Sequence, residues 1–340
     1  MPRCETYFEN KFNAVLPGFL WNVFSKVNLI DNEHCFEKCL YLQILFKFDK
    51  YMLLQFLING LITGSIYALA ALGFALVYNT TRIFHLAYAA VYMFAPYMLF
   101  TFYVTMGIPF VLSFIISVLL TMFLSVSFEF SVYKPLSKNK SSGEVILISS
   151  LGIMIIVINV IAMFYGNETK IIVSSISNSI SFGNIIITYN QLWQFSVSVI
   201  LLVVFFVLLG KSKFGQKARA LRDDTELFMV MGYNVYGMRT LLFLLSGLFV
   251  AVSSNLVAFD VGMDPYVGLP MLLNALVALI ISGVGKFEAP VLGGFIIGLL
   301  QALTVFAFSA QWQNAITFLL MILFLVFRPQ GLLGEKQRAV

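Results

Sequence analysis

The sequence predicts an all-α fold, a polytopic bundle of about nine transmembrane helices within a range of roughly eight to ten. Two observations of composition support this prediction: 60% of the residues are apolar and only 11% are charged. Soluble domains carry about 25% charged residues, so this chain has too few charges to cover a water-facing surface. The third observation is a series of long uncharged runs, such as 83–128 and 289–327, each long enough for two crossings of about 20 residues.

The spans are placed by dividing the uncharged runs where Gly, Pro or polar residues cluster, because such clusters interrupt helices. Gly107 and Pro109 mark one turn, and the polar stretch 309–314 marks another. Span 270–284 is short enough to be re-entrant, and residues 166–188 are expected to form an external loop with short strands. The expected spans are 54–78, 84–103, 110–131, 145–165, 190–210, 240–259, 270–284, 290–308 and 315–327.

The orientation follows from Lys and Arg, which concentrate in the short cytoplasmic loops of membrane proteins. Segments 134–144, 211–239 and 328–338 are basic, and nine spans with an outside N-terminus place all three on the same side. Lys170 then falls on an outer loop. We therefore expect a multi-pass membrane protein whose basic segments are cytoplasmic, surrounded by a lipid bilayer and without a nucleic-acid partner.

The sequence changes character near Met52. Residues 1–51 hold all three cysteines and closely spaced charges of both signs, and they lack the basic start and apolar core of a signal peptide. We expect residues 1–51 to be an N-terminal extension, disordered or not part of the native protein. The transmembrane domain is expected over 52–335, with a cytoplasmic tail at 336–340. A truncation that begins at Met52 is expected to retain function.

The sequence holds no pattern typical of catalysis. It contains two histidines, and no cysteine follows residue 52, so neither a catalytic triad nor a metal or cofactor site is expected. The GxxxxGK[ST] loop that binds nucleotide phosphates is also missing from the sequence. The closest string, Gly283 to Glu288, has neither the spacing nor the Ser or Thr. Any ATP that this protein uses must therefore be hydrolysed by another chain.

The inner segment 211–239 contains a short polar helix. Asp223 and Glu226 have the spacing of a capping box, and Gly232 is placed to end the helix, which predicts a helix of about eight residues. Its apolar residues, Phe228 among them, need cover. Either the helix docks on a partner protein or it folds back on the bundle.

Several strings, in order from about 52 to 335, resemble the permeases of branched-chain amino-acid ABC importers, the high-affinity kind that depends on a binding protein. The strings are Asn59 to Gly73, Glu129 with Tyr133 to Leu136, Leu147 to Gly152, Gly215 to Gly232, Pro265 to Gly268, Gly283 to Gly285, Pro290 with Gly293 and Gly294, and Phe327 to Gly334.

This resemblance implies an ABC importer permease fold in the bacterial cytoplasmic (inner) membrane. It implies two cytoplasmic ATP-binding subunits, a homologous permease in a homodimer or heterodimer, and an external substrate-binding protein. It also implies that the short inner helix couples the permease to the ATPases, and that Asp224→Arg or Phe228→Asp uncouples ATP use from uptake. The coupling residues are then Gly215, Arg219, Asp223, Asp224, Glu226, Phe228 and Gly232.

One departure concerns the substrate. Where the family reads Asn-Phe-Ala-His-Gly-acidic, this chain reads His85 to Ala90, with Ala in place of the Gly and of the acidic residue. Branched-chain amino acids are the expected substrate, and amides or urea are the alternative. Polar side chains within or beside the spans form either interhelical hydrogen bonds or a weakly polar translocation path. The path candidates are Asn59, Ser65, Tyr67, His85 and Asn274.

Three further features have structural interpretations. Gly60 with Gly64, and Gly294 with Gly298, form GxxxG pairs that let helices approach closely, within the subunit or across a pair of permeases. His85 is expected to be a hydrogen-bonded histidine with access to solvent near the inner interface, and the alternative is a proton carrier. Glu129 is expected to pair with Lys134 or to reach the membrane surface.

Two rival functions remain. An ion-coupled secondary transporter of a small polar solute needs paired carboxylates inside the membrane, and a membrane-embedded enzyme needs clustered His, Asp and Glu at one depth. The sequence places neither arrangement in the middle of a span.

Overall fold

A computed structural model describes residues 35–172, 179–182, 185–328 and 330–333, with side chains described from Met52 onward. The chain divides into two units between Tyr51 and Met52. The expectations for residues 1–34 and for the tail 336–340 lie outside the described residues.

The described chain is almost entirely helical, as predicted. A π-helical turn follows α2 at Thr101–Thr105 and another follows α3 at Glu129–Tyr133. The helices are α1 (Cys35–Thr81), α2 (Tyr88–Phe100), α3 (Phe110–Phe128), α4 (Lys134–Lys138), α5 (Gly143–Tyr165), α6 (Tyr189–Lys211), α7 (Lys213–Asp223), α8 (Thr225–Val230), α9 (Val235–Val261), α10 (Gly268–Ser282), α11 (Ala289–Ala307) and α12 (Gln313–Phe327).

Within the described residues, 8 helices are long and apolar enough to cross a membrane, and α10 is a shorter apolar helix. This agrees with the prediction of about nine spans, including the short one at 270–284. The crossing segments are Met52–Thr81, Tyr88–Thr105, Phe110–Lys138, Gly143–Tyr165, Tyr189–Lys211, Val235–Val261, Ala289–Ala307 and Ala310–Phe327.

The predicted turns and strands are also present. A short 3-10 helix at Ala310–Trp312 separates α11 from α12 within the polar stretch. Strands β1 (Ser179–Phe182) and β2 (Ile185–Thr188) pair antiparallel, with Ser179 opposite Thr188. Strand β2 consists only of Ile and Thr, β-branched residues that favour strands, which explains why this part of the loop pairs as strands.

The core is built on α1 and α9, which are mostly buried, whereas α5 and α12 are mostly exposed. Small residues line the buried helices, as at Ala68, Ala71 and Ser253, all fully buried. Side chains of this size let helix backbones approach closely, which favours helix association in lipid. The exposed faces of α5 and α12 carry large apolar side chains, as a surface in contact with lipid requires.

The two GxxxG pairs meet each other within the subunit. A Cβ built on Gly298 would lie 2.3 Å from the Cα of Gly64, and one on Gly294 would lie 2.4 Å from the Cα of Ala68. A Cβ on Gly60 would lie 2.7 Å from the Cβ of Ala302. Helices α1 and α11 are therefore in backbone contact, at a separation that only glycine permits.

Candidate coupling and translocation site

The corner between α6 and α7 is fixed by its backbone. Ser212 is extended and its hydroxyl accepts a hydrogen bond from the Gly215 amide at 3.2 Å, which caps α7. A Cβ on Gly215 would lie 2.0 Å from the carbonyl oxygen of Leu209, so the last turn of α6 excludes any larger residue there. Arg219 donates to the same carbonyl at 3.1 Å. Gly215 and Arg219 therefore set the direction in which α7 leaves the bundle.

Helix α7 turns one apolar face toward the bundle. Gly215, Ala218 and Leu221 are buried, and their spacing of three residues places them on one side of a helix. Arg222, one residue further, donates from its Nη1 to the carbonyl oxygen of Gly285 at 2.6 Å. Its guanidinium also lies 5.7 Å from the ring centre of Phe287. Sequence reasoning missed this contact because the two residues are distant along the chain.

The cap of α8 is one residue later than predicted. Asp224 is extended, and its carboxylate accepts hydrogen bonds from the amides of Glu226 and Leu227, each at 2.9 Å. The predicted capping box of Asp223 with Glu226 is wrong, because α7 continues through Asp223 and the chain turns only at Asp224. Asp223 instead pairs with Arg222 at 2.6 Å. Helix α8 has 6 residues, fewer than the expected eight.

The end of α8 agrees with the prediction for Gly232. The φ of Gly232 is +82°, its amide donates to Met229, and the amide of Tyr233 donates to Phe228. This pair of bonds is the Schellman motif, which usually includes an apolar contact between the same two end positions. Here the rings of Phe228 and Tyr233 stack at 5.1 Å, so both ends of this short helix are closed.

The apolar residues of α8 lie on two faces of the helix, one buried and one exposed. Phe228 is 1% exposed, whereas Leu227 is 54% and Val230 is 83% exposed. Phe228 has the cover that was expected, because it lies in a buried cluster with Leu221, Val235 and Phe287. For this side chain the alternative of folding back on the bundle is therefore correct. Leu227, Met229, Val230 and Met231 form the exposed tip of α8, all more than half exposed. Exposed apolar patches of this kind are typical of surfaces that contact a protein or a membrane.

Two of the path candidates meet in a buried polar network. The hydroxyl of Tyr67 donates to Gln301 at 2.7 Å, and the amide nitrogen of Gln301 lies 3.4 Å from the side-chain oxygen of Asn274 and 3.1 Å from the hydroxyl oxygen of Thr317. These four residues belong to α1, α10, α11 and α12. Gln301 and Thr317 were missed, although an amide in the middle of an apolar span is itself a signal that it has polar partners.

The other path candidates lie elsewhere. Ser65 is buried and donates to the carbonyl of Ile62 within its own helix. Asn59 accepts a hydrogen bond from Gln55 at 3.2 Å. The structure therefore joins Tyr67 and Asn274 through Gln301, and it does not bring Ser65 or Asn59 into the same network.

His85 lies in the short connection between α1 and α2 and is only 1% exposed, so the expected access to solvent is wrong. Its Nδ1 lies 2.6 Å from the hydroxyl of Tyr133, which makes it the hydrogen-bonded histidine that was expected. The rings of Tyr88, Tyr133 and Phe243 surround it. Burial lowers the pKa of His85 to about 3, so the imidazole is neutral at physiological pH.

Glu129 pairs with Arg239 rather than with the expected Lys134. The carboxylate and guanidinium are joined at 3.0 and 3.1 Å, and the side chains are 0% and 8% exposed. Lys134 lies over the ring of Phe130 at 4.8 Å. The π-helical turn begins at Glu129, and such turns occur mostly where a helix is adapted to a special role. A buried ion pair therefore joins the π-helical turn after α3 to the first turns of α9.

Comparison with known proteins gives a consistent result. The family model described as branched-chain amino acid transport system, permease component, matches residues 56–325. The permease protein BraD of Pseudomonas aeruginosa, named for high-affinity branched-chain amino acid transport, is 29% identical over 302 residues, covering 84% of this chain and 97% of BraD. LivH of Escherichia coli strain K12 is 26% identical over 303 residues, covering 84% of this chain and 96% of LivH.

A third relative is the probable branched-chain amino acid permease LivH of Methanocaldococcus jannaschii, 26% identical over 296 residues and covering 81% of this chain and 91% of its own length. The family match extends over most of the chain and includes the exposed tip of α8 and all four residues of the polar network. The chain belongs to the family of branched-chain amino acid transport permease components.

Proposed function

We propose that this protein is the membrane-spanning permease subunit of an ATP-driven importer of branched-chain amino acids, in the bacterial inner membrane. The observation that carries the proposal is the family match over residues 56–325. The named relatives, which are similar along nearly their whole length, support the same substrate class. ATP hydrolysis then takes place on two separate cytoplasmic subunits, and an external binding protein delivers the substrate to a pair of permeases.

Docking of the ATP-binding subunits is assigned to α8 and its exposed tip. Both ends of the helix are closed by side chains and backbone of the same segment, so the helix is preorganised before a partner arrives. Its cap at Asp224 and its stop at Gly232 leave Leu227 and Val230 facing outward. A rigid apolar tip of this kind fits a cleft in a partner protein, as helix-in-groove contacts do.

The translocation path is assigned to the side of the bundle where Tyr67, Gln301 and Asn274 meet. These groups are uncharged, and they offer hydrogen bonds without holding a strong charge in the membrane. A path of this kind binds its solute weakly, so selectivity rests with the external binding protein. The remaining candidates serve helix packing. Asn59 and Ser65 are bonded within their own helix, and His85 is bonded to Tyr133 of a neighbouring element.

The decisive experiment is co-expression with the ATP-binding subunits of the same organism, followed by purification and reconstitution into vesicles. Uptake of leucine, isoleucine and valine is expected to require ATP and the binding protein, and to continue in the presence of an uncoupler. Uptake that stops with the uncoupler while ATP stays high would favour an ion-coupled transporter. Uptake of urea or an amide in preference to leucine would correct the substrate class.

The docking assignment is tested at Val230. Val230→Asp places a charge at the centre of the tip and is expected to release the ATP-binding subunits during purification. Val230→Met keeps the surface apolar and is the matched control, expected to retain them. Equal retention in both variants would show that the tip of α8 is not the docking surface. Phe228→Asp is unsuited to this test, because it would disrupt the closed end of the helix.

A further inference from the structure

The loop 283–288, which joins α10 to α11, lies between the proposed docking helix α8 and the proposed translocation path. Arg222 at the end of α7 donates to the carbonyl of Gly285 at 2.6 Å. Arg222 is only two residues from the cap of α8, so any displacement of α8 acts directly on this hydrogen bond. The side chain of Arg222 is 13% exposed, and such a partly buried, charge-assisted bond is stronger than a neutral one.

The same loop is bonded to the inner end of α1. The amide of Gly285 donates to the side-chain oxygen of Asn79 at 3.2 Å, and the amide nitrogen of the Asn79 side chain donates to the carbonyl of Lys286 at 3.4 Å. Asn79 is 1% exposed. The carbonyl of Gly285 therefore accepts a hydrogen bond from Arg222, and its amide donates one to Asn79. Through these two bonds, Gly285 links α7 to α1.

Three of the four helices that carry the polar network meet at this loop. Helix α10 carries Asn274 and enters the loop, α11 carries Gln301 and leaves it, and α1 carries Tyr67 and is held to it by Asn79. At about 1.5 Å per helical residue, the loop lies roughly 18 Å along α1 from the network. The turn at 330–333 fixes the end of α10, because Leu332 and Leu333 donate to the carbonyls of Ile281 and Ser282.

The backbone of the loop departs from helical geometry at two glycines. Gly283 has a φ of +102° and Gly285 a φ of +120°, conformations that are available to glycine and rarely to other residues. A Cβ on Gly331 would lie 2.4 Å from the Cα of Gly283, so the backbones of these two glycines are in close contact. The loop thus has a defined backbone shape, and Arg222 and Asn79 are hydrogen-bonded to it from two sides.

We propose that the loop 283–288 carries the movement of α8 to the helices of the polar network, and that Arg222 is the positioning residue that makes this link. The inference rests on the proposed function. When ATP binding moves α8, Arg222 pulls on the carbonyl of Gly285, and the loop shifts α10, α11 and the inner end of α1 together. Tyr67, Gln301 and Asn274 then change their mutual arrangement, which opens or closes the path.

The test measures uptake and ATP hydrolysis in the same reconstituted vesicles. Arg222→Met is expected to lower uptake per ATP hydrolysed roughly tenfold, within the usual range of coupling between two sites, with complex yield and hydrolysis kept within about twofold. Arg222→Lys, which can still donate to Gly285, is expected to recover part of the loss. Lys213→Met, an exposed basic residue at the other end of α7, is the matched control and should leave uptake per ATP unchanged.

Asn79→Leu tests the second contact of the loop. It is expected to give a similar loss, and the double variant with Arg222→Met should be no worse than either one, because both act on the same loop. Wild-type uptake per ATP in Arg222→Met, or a loss of uptake that only follows a loss of complex, would overturn this inference alone. If the wild-type complex shows no ATP-driven uptake, the proposed function fails and the inference falls with it.

Discussion

Gly64 of α1 and Gly298 of α11 touch through their backbones, so closely that a Cβ on Gly298 would lie 2.3 Å from the Cα of Gly64. The two helices run antiparallel, so Tyr67 and Gln301 lie on opposite sides of this contact. The helices are close enough for the hydroxyl of Tyr67 to span it and donate to Gln301 at 2.7 Å. Close packing of these two helices is thus a precondition of the polar network. The GxxxG pairs therefore pack against each other inside one subunit.

Gly298→Ala is expected to destabilise the protein by about 1–3 kcal/mol, because the added methyl overpacks a contact between two backbones. The measurement is the thermal unfolding midpoint in detergent. Gly152→Ala in α5 is the matched control, since open space surrounds that position, and it should leave the midpoint unchanged or raise it slightly. Equal effects of the two substitutions would contradict the packing argument.

Arg239→Met is expected to cost about 3–5 kcal/mol, because it leaves the carboxylate of Glu129 buried without its partner. Adding Glu129→Gln to the same chain should restore much of the loss, since no unpaired charge then remains. Lys134→Met should have a far smaller effect, because Lys134 lies over an aromatic ring rather than beside the carboxylate.

The three variants can be compared by yield of folded protein and by thermal unfolding in detergent. A greater loss of stability in Lys134→Met than in Arg239→Met would favour the ion pair between Glu129 and Lys134 that the sequence predicted.

Asp224→Ala is expected to weaken α8 by about 1 kcal/mol through loss of its cap. Hydrogen exchange of the amides in 225–231 should therefore become faster by roughly fivefold. Asp223→Ala removes a neighbouring carboxylate that caps nothing and serves as the control. Faster exchange in Asp223→Ala than in Asp224→Ala would show that the cap had been assigned to the wrong residue.

The stability of the protein is expected to fall as the pH is lowered through the range in which free histidine titrates. Burial lowers the pKa of His85 to about 3, whereas in the unfolded chain it is about 6.5. Between these values the unfolded chain binds one more proton than the folded one, so unfolding becomes easier as the pH falls. The contribution is about 1.4 kcal/mol per pH unit below pH 6.5.

The measurement is denaturation in detergent between pH 5 and 7, comparing the wild type with His85→Gln. The variant should show a shallower pH dependence, even if its stability at pH 7 is lower through loss of the bond to Tyr133. Parallel curves would mean that His85 becomes protonated in the folded protein.

Much of the fold could be predicted because it depends on residues close together in the chain. Uncharged runs gave the number and approximate bounds of the spans, the polar stretch 309–314 gave the break before α12, and Gly232 gave the end of α8. Each of these is a local preference, of the backbone or of a single helix for lipid, and such preferences are visible in a short window of sequence.

The resemblance of strings in this sequence to a permease family was likewise confirmed by the match over residues 56–325. The cap of α8 was misplaced by one residue, since neighbouring acidic residues have nearly equal local preferences and only the path of the chain after α7 selects Asp224.

Other pairings were decided by the tertiary structure alone. Arg239 lies 110 residues from Glu129, and Gln301 lies 234 residues from Tyr67. The nearby Lys134 was the better local candidate for Glu129, yet the packing of α3 against α9 brings Arg239 to the carboxylate. The sequence by itself determined that the chain crosses the membrane many times and roughly where each span lies. Only the packed bundle decided which buried polar groups meet, because in a low-dielectric interior each must find whatever partner the neighbouring helices bring within reach.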